Sequence, residues 1–174
     1  MPYPGISRAA FLFVAALLWS TFACSPAKKT VVTPASPTRP AASAGTRAEV
    51  ADYAQKFVGT TYKYGGTNPA TGFDCSGFTS FVLRGFGVDI TPASKGQAKL
   101  GREVALDRVQ AGDLLFFAEN GRDISHVALV VRRDASGVTC VHSTTSRGVI
   151  VENVTASAYW KPKILFARDV LGKR

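Results

Sequence analysis

Acidic side chains are missing from the first 48 residues. All 12 Asp and Glu lie at or after Glu49, against 21 Lys and Arg in a chain of 174 residues. Residues 46–174 carry 17 basic and 12 acidic groups, so much of the net +9 is a property of the leading segment. That distribution, with no basic-aromatic interleaving and no glycine-rich phosphate fingerprint, argues against a nucleic-acid partner. Cysteine is scarce too, and three thiols cannot staple a small fold into a disulfide framework. Histidine occurs only twice. The longest apolar run, Ala9 to Trp19, is eleven residues, well short of the ~20 that span a bilayer as a helix. Disorder of the whole chain is excluded by 46% hydrophobic and 19% charged residues.

That short run, preceded by Arg8 and followed by small residues, has the layout of a secretory signal over residues 1–23. Thr21-Phe22-Ala23-Cys24 resembles the box at which bacterial lipoprotein signals are cleaved before a cysteine that is then acylated. Leu is usual where Thr21 stands, and a small residue where Phe22 stands. Lipidation of Cys24 would tie the chain to a membrane facing the periplasm, with Ser25 suiting the outer membrane. Cleavage after Ala23 would instead give a secreted protein. Residues 24–45 hold four of the nine prolines and no aromatic or acidic residue. Such a stretch buries too little apolar area to offset chain entropy and reads as an extended tether.

One domain is expected over residues 46–174. Thr46 to Glu49 has the pattern of a capping box, and Val50, Tyr53, Ala54 and Phe57 make a helical stripe that ends near Gly59. A glycine-rich loop leads to Asp74-Cys75-Ser76-Gly77, after which Phe78, Phe81 and Val82 resume helical spacing to Gly85. Thr91-Pro92 predicts the N-cap and first residue of a short helix through Leu100. The period then changes. Residues 114–117, 124–131, 138–143, 149–154 and 164–167 are short, β-branched and aromatic, and separated by turn clusters. Helices followed by consecutive strands imply an α+β fold with an antiparallel sheet covered by helices.

Chemistry converges on Cys75, His126 and His142. A thiol at a helix start faces unpaired amides, which favour the thiolate and lower its pKa. The histidines share a parity. With Arg133-Asp134-Ala135 as a hairpin tip, His126 and His142 fall opposite one another on one sheet face. Neighbouring imidazoles suit a base and an orienter. A Cys/His/His zinc site is the alternative, disfavoured by the lack of short ligand spacing. No cofactor is expected. Cys140 shares the parity of His142 but reads as a small buried hydrophobe; a Cys75–Cys140 disulfide stays open at this level.

Five segments carry a resemblance: Gly59 to Gly66, Phe73 to Phe78, Ala111 to Phe117, Ser125 to Val130, and Val141 to Ser143. Together, in this order, they closely resemble the NlpC/P60 family over most of residues 46–174. The resemblance implies a papain-like α+β fold and a cysteine peptidase acting on peptidoglycan stem peptides, commonly at the D-γ-glutamyl–meso-diaminopimelate bond. It makes Cys75 the nucleophile, His126 the base and His142 the third, polar member of the triad. Tyr62 matches a tyrosine beside the oxyanion site, and Asp74 and Ser76 match positions that help bind the stem peptide. Gln97 matches a recurrent glutamine of no assigned role. Thr79-Ser80 departs from the family, standing where apolar residues are common. A non-catalytic wall-binding lipoprotein and a thiol amidase or acyltransferase are the competing readings on the same fold.

Overall fold

The computed structural model describes residues 47–172. The signal, tether, Cys24 and Thr46 of the expected capping box lie outside those residues. Helix α1 spans Arg47–Gln55, with Glu49 in its first turn and Val50, Ala51, Tyr53 and Ala54 buried. Its end is tighter than an α-helix, because Lys56, Phe57 and Val58 bond three residues back. Gly59 then reverses the chain with φ 89°.

A two-strand ribbon follows, β1 (Thr67–Asn68) and β2 (Gly72–Phe73). It delivers the chain directly into helix α2, Cys75–Gly85. Asp74 caps α2 in extended geometry, its Oδ1 accepting from the Gly77 amide at 2.6 Å. This satisfies one of the orphan amides that every helix start leaves open. Phe78, Val82 and Leu83 are buried along one side of α2.

The short helix α3 covers Ser94–Gln97 only, starting two residues later than Thr91-Pro92 predicts. The carbonyls that would open it are already taken: Gln97 Nε2 donates to Thr91 and the Ser76 hydroxyl donates to Pro92.

Six antiparallel strands form the main sheet: β3 (Arg102–Val104), β4 (Leu114–Phe117), β5 (His126–Asp134), β6 (Gly137–Thr144), β7 (Gly148–Asn153) and β8 (Ile164–Asp169). Their spatial order is β3-β8-β4-β5-β6-β7. The expected α+β architecture therefore holds. Strand β3 and the small ribbon lacked enough apolar alternation to be read beforehand. One face of the sheet packs Leu114, Phe116, Val127, Leu129, Val141 and Val149 against α1 and α2. The opposite face buries a smaller cluster, including Leu115, Phe117, Ala128, Val130, Cys140 and Trp160.

The β5–β6 hairpin differs from expectation in an instructive way. Its tip is the two-residue pair Ala135-Ser136, flanked by paired Asp134 and Gly137. Asp134 Oδ1 accepts from the Ser136 amide and hydroxyl, closing a local turn. The register then shifts between Val130 and Arg132, where Val131 is an extra residue. This bulge restores the parity that a two-residue tip would have reversed. His126 and His142 consequently share a face, as expected, but they are diagonal neighbours and not a directly opposed pair.

Candidate active site

Several segments of the chain meet at a cleft of about 440 Å³ that includes Tyr62, Cys75, Ser125, His126, Arg147 and Glu152 in its lining. Cys75 is the first residue of α2, and its position depends on close backbone packing. A Cβ on Gly77 would lie 1.9 Å from the Gly66 carbonyl oxygen, so only glycine lets the loop touch the helix start. Asp74 joins the same loop, accepting from the Gly65 amide at 2.9 Å through Oδ2.

Gln97 now acquires a structural role. It is fully buried, accepts from the Thr79 hydroxyl at 2.8 Å and donates to the Ser76 and Thr91 carbonyls at 2.9 Å each. The polar Thr79 thus sits where it does because a buried amide side chain needs its hydroxyl. Together these bonds brace the first turn of α2 against the loop before α3. Asp74 and Ser76 serve the same turn: the Ser76 hydroxyl is buried and bonds Asp74 Oδ1 and the Pro92 carbonyl. Neither side chain lines the cleft.

The expected low thiol pKa is not what the site produces. Burial pushes the Cys75 thiol up, and the Asp74 carboxylate adds to this. Amides of Val127, Ser76 and Cys75 itself pull the other way without prevailing. His126 is driven down to about 3 by burial and then by His142. Burial also lowers His142, outweighing the pull of Glu152. The resting site is therefore a neutral thiol beside neutral imidazoles. Burial raises the Tyr62 phenol as well, with Cys75 and Asp74 contributing.

His126 Nε2 and His142 Nδ1 are 2.8 Å apart. His142 Nε2 is in turn 2.9 Å from Glu152 Oε1. Both rings rest on Trp160: His126 stacks on the indole at 4.6 Å between centroids, and His142 meets it edge-on at 5.0 Å. The Trp160 indole N–H donates to Glu152 Oε1 at 2.9 Å, and so does Arg147. Burial pushes the Glu152 pKa up, but hydrogen bonds from His142, Trp160 and Arg147 leave it lower than an ordinary glutamate.

Sequence reasoning missed Glu152, Trp160 and Arg147. The first becomes legible only once the β6–β7 register is known. Strand β6 pairs with β7 so that His142 opposes Ile150, and Glu152 then shares the parity of His142 on the adjacent strand. Trp160 lies on the loop beyond β7, where no periodicity exists to give its direction.

Cys75 and Cys140 are free thiols. Cys140 is fully buried in the second cluster, and burial raises its pKa far above the ordinary thiol value. Among the described residues no three His, Cys, Asp or Glu side chains converge as ligands for a metal ion, and no helix is long and apolar enough to cross a membrane.

A helix-borne thiol in a cleft shared with a sheet-borne imidazole places the domain in the α+β thiol–imidazole class. Residues 59–169 match the NlpC/P60 family, and the chain belongs to it. It is 38% identical over 120 residues to the gamma-D-glutamyl-L-lysine dipeptidyl-peptidase of Bacillus subtilis, covering 67% of this chain and 39% of that one. To the probable endopeptidase NlpC of Escherichia coli it is 31% identical over 121 residues, covering 68% and 75% of the two chains. The chain spans roughly a third of the length of the Bacillus subtilis relatives it matches. A solved NlpC/P60 family protein from Bacillus cereus superposes with a TM-score of 0.67 at 28% identity, over 74% of this chain and 41% of that one.

Proposed function

We propose that this protein is a cysteine endopeptidase of the bacterial cell wall that cleaves peptidoglycan stem peptides at a γ-D-glutamyl bond. The observation that carries the reading is the shared cleft, in which the helix-start thiol of Cys75 lies with a base already linked to its orienter. The names of the relatives, one of them a gamma-D-glutamyl peptidase, supply the substrate class.

The reaction begins with a neutral pair. The Cys75 S–H bond breaks, its proton passes to His126, and Sγ bonds the γ-glutamyl carbonyl carbon. In this reading the Cys75 amide and the hydroxyl of Tyr62, a residue of the cleft lining, donate to the oxyanion. Collapse breaks the C–N bond, and His126 returns the proton to the leaving amine. Water then adds to the thioester, giving its proton to His126, and collapse of that adduct regenerates the thiol and frees a carboxylate. His126 is poorly basic at rest because it is buried. Once protonated, its imidazolium is supported through His142 by Glu152. Arg147, half-exposed on the cleft wall, adds positive charge that suits a stem-peptide carboxylate.

Cys24 is proposed as the lipid anchor and residues 24–45 as the tether that lets the domain reach the wall. The test is mass spectrometry of products from purified muropeptides. Cleavage at the glutamyl bond, abolished in a folded Cys75→Ala variant, is expected. No product from the wild type, or release of whole stems from sugar, would overturn the assignment.

A further inference from the structure

We infer that Glu152 is a positioning residue that fixes the tautomers of both imidazoles, leaving Nδ1 of His126 as the nitrogen that takes the Cys75 proton. The argument follows the direction of each hydrogen bond. Three groups converge on one atom, Glu152 Oε1: His142 Nε2, Trp160 Nε1 and Arg147 Nη2, each at 2.9 Å. The indole and the guanidinium can only donate, and an ionised carboxylate can only accept. His142 must therefore carry its hydrogen on Nε2.

A neutral imidazole has one donor and one acceptor nitrogen. With Nε2 committed, His142 Nδ1 is the acceptor in the 2.8 Å contact with His126. His126 Nε2 must then be the donor, which leaves its Nδ1 with the free lone pair. Each assignment forces the next.

Without Glu152 the chain has no sense of direction. A His142 ring with its hydrogen on Nδ1 would donate to His126 Nε2, and His126 would then carry its own hydrogen on Nδ1. In that state it cannot accept a proton from the thiol. The carboxylate thus selects between two arrangements that the histidine pair alone leaves nearly equivalent. Trp160 serves the same end twice, gripping Glu152 by its N–H while its ring face fixes the plane of His126.

Selective ¹⁵N-histidine labelling of the full chain tests this directly, since it holds only two histidines. Two-bond ¹H–¹⁵N spectra at neutral pH should show both rings as Nε2–H in the wild type. In Glu152→Ala the signals of both rings should move toward mixtures of tautomers. Cleavage should fall by on the order of 10²-fold in kcat while KM changes little, the signature of an interaction felt in the transition state. Glu152→Gln retains an oxygen that accepts from His142 Nε2, so it should keep the wild-type tautomers and an intermediate kcat. It also guards against misreading a folding defect.

An Nδ1–H ring in the wild type, or unchanged tautomers in Glu152→Ala, would overturn the inference. Only the kinetic arm rests on the peptidase reading. Correct tautomers in a wild type that cleaves no muropeptide would overturn that reading and leave the role of Glu152 standing.

Discussion

His126 and His142 touch through their ring nitrogens at 2.8 Å although they do not oppose one another in the β-ladder. The contact depends on a single extra residue, Val131, in a strand whose turn has an even number of residues. An unbulged β5 with the same tip would place the two rings on opposite faces of the sheet. Parity in this hairpin therefore decides whether the two rings can meet.

The two histidines should not be equivalent in kinetics. Replacing His126 by Ala removes the proposed base and should lower kcat/KM by on the order of 10³-fold or more. His142→Ala should cost less, on the order of 10²-fold, because water in the vacated space can take over part of the orienting contact. Initial rates on a defined stem peptide decide the matter, and a larger loss in His142→Ala would contradict the assigned roles.

The pH dependence of stability follows from burial of the same pair. Both imidazoles have pKa values lowered in the folded state, His126 to about 3 against an ordinary 6.5. The unfolded chain therefore binds more protons than the folded one between these values. The contribution of His126 is complete above pH ~6.5 and should be lost progressively as pH falls toward 3, with His142 acting in the same direction. Urea unfolding across that range should show a shallower decline in a His126→Phe variant than in the wild type. An unchanged slope would mean that the ring is not held neutral.

Gly77 should violate helix propensity. Alanine is favoured over glycine inside a helix by about 1 kcal/mol. Here the added methyl would meet the Gly66 carbonyl oxygen at 1.9 Å, a contact that only backbone movement can relieve. Gly77→Ala is expected to lower both the melting temperature and kcat, since the displaced loop carries Tyr62 and the displaced helix carries Cys75. A stabilised and fully active variant would contradict this packing.

Arg47 should matter far more to folding than Arg102. It donates to Asp113 at 2.5 Å, to the Ala111 carbonyl and to Asp169, and both carboxylates are almost wholly buried. Arg47→Ala strips a partner from two buried carboxylates and should cost about 3 kcal/mol or more. Among the described residues Arg102 bonds only Asp169 and is largely exposed, so Arg102→Ala should cost about 1 kcal/mol or less. Equilibrium denaturation of the two variants gives the comparison.

What the sequence disclosed follows from what has a period. The stripe of Val50, Tyr53, Ala54 and Phe57 and the alternating strands after residue 114 are read directly, because burial imposes a spacing on them. Cys75 was legible through its place before a helical stripe, and the parity of the histidines survived a mistaken turn only because the bulge compensated for it. The lowered thiol pKa was misjudged because helix-end amides are visible in sequence and desolvation is not. Glu152 and Trp160 were hidden for a related reason. Their roles arise from strand-to-strand and loop-to-sheet contacts, which depend on register and loop path. Neither is encoded at any fixed spacing from Cys75.

The stacking of Trp160 has a consequence for observation as well as for chemistry. Only one other tryptophan exists, Trp19 in the leading segment, so among the described residues all indole emission comes from a ring lying on His126 and bonded to Glu152. A protonated imidazole quenches an adjacent excited indole far better than a neutral one. The domain thus carries its own fluorophore against the proposed base. The charge state of His126 is open to reading by light, with no label attached.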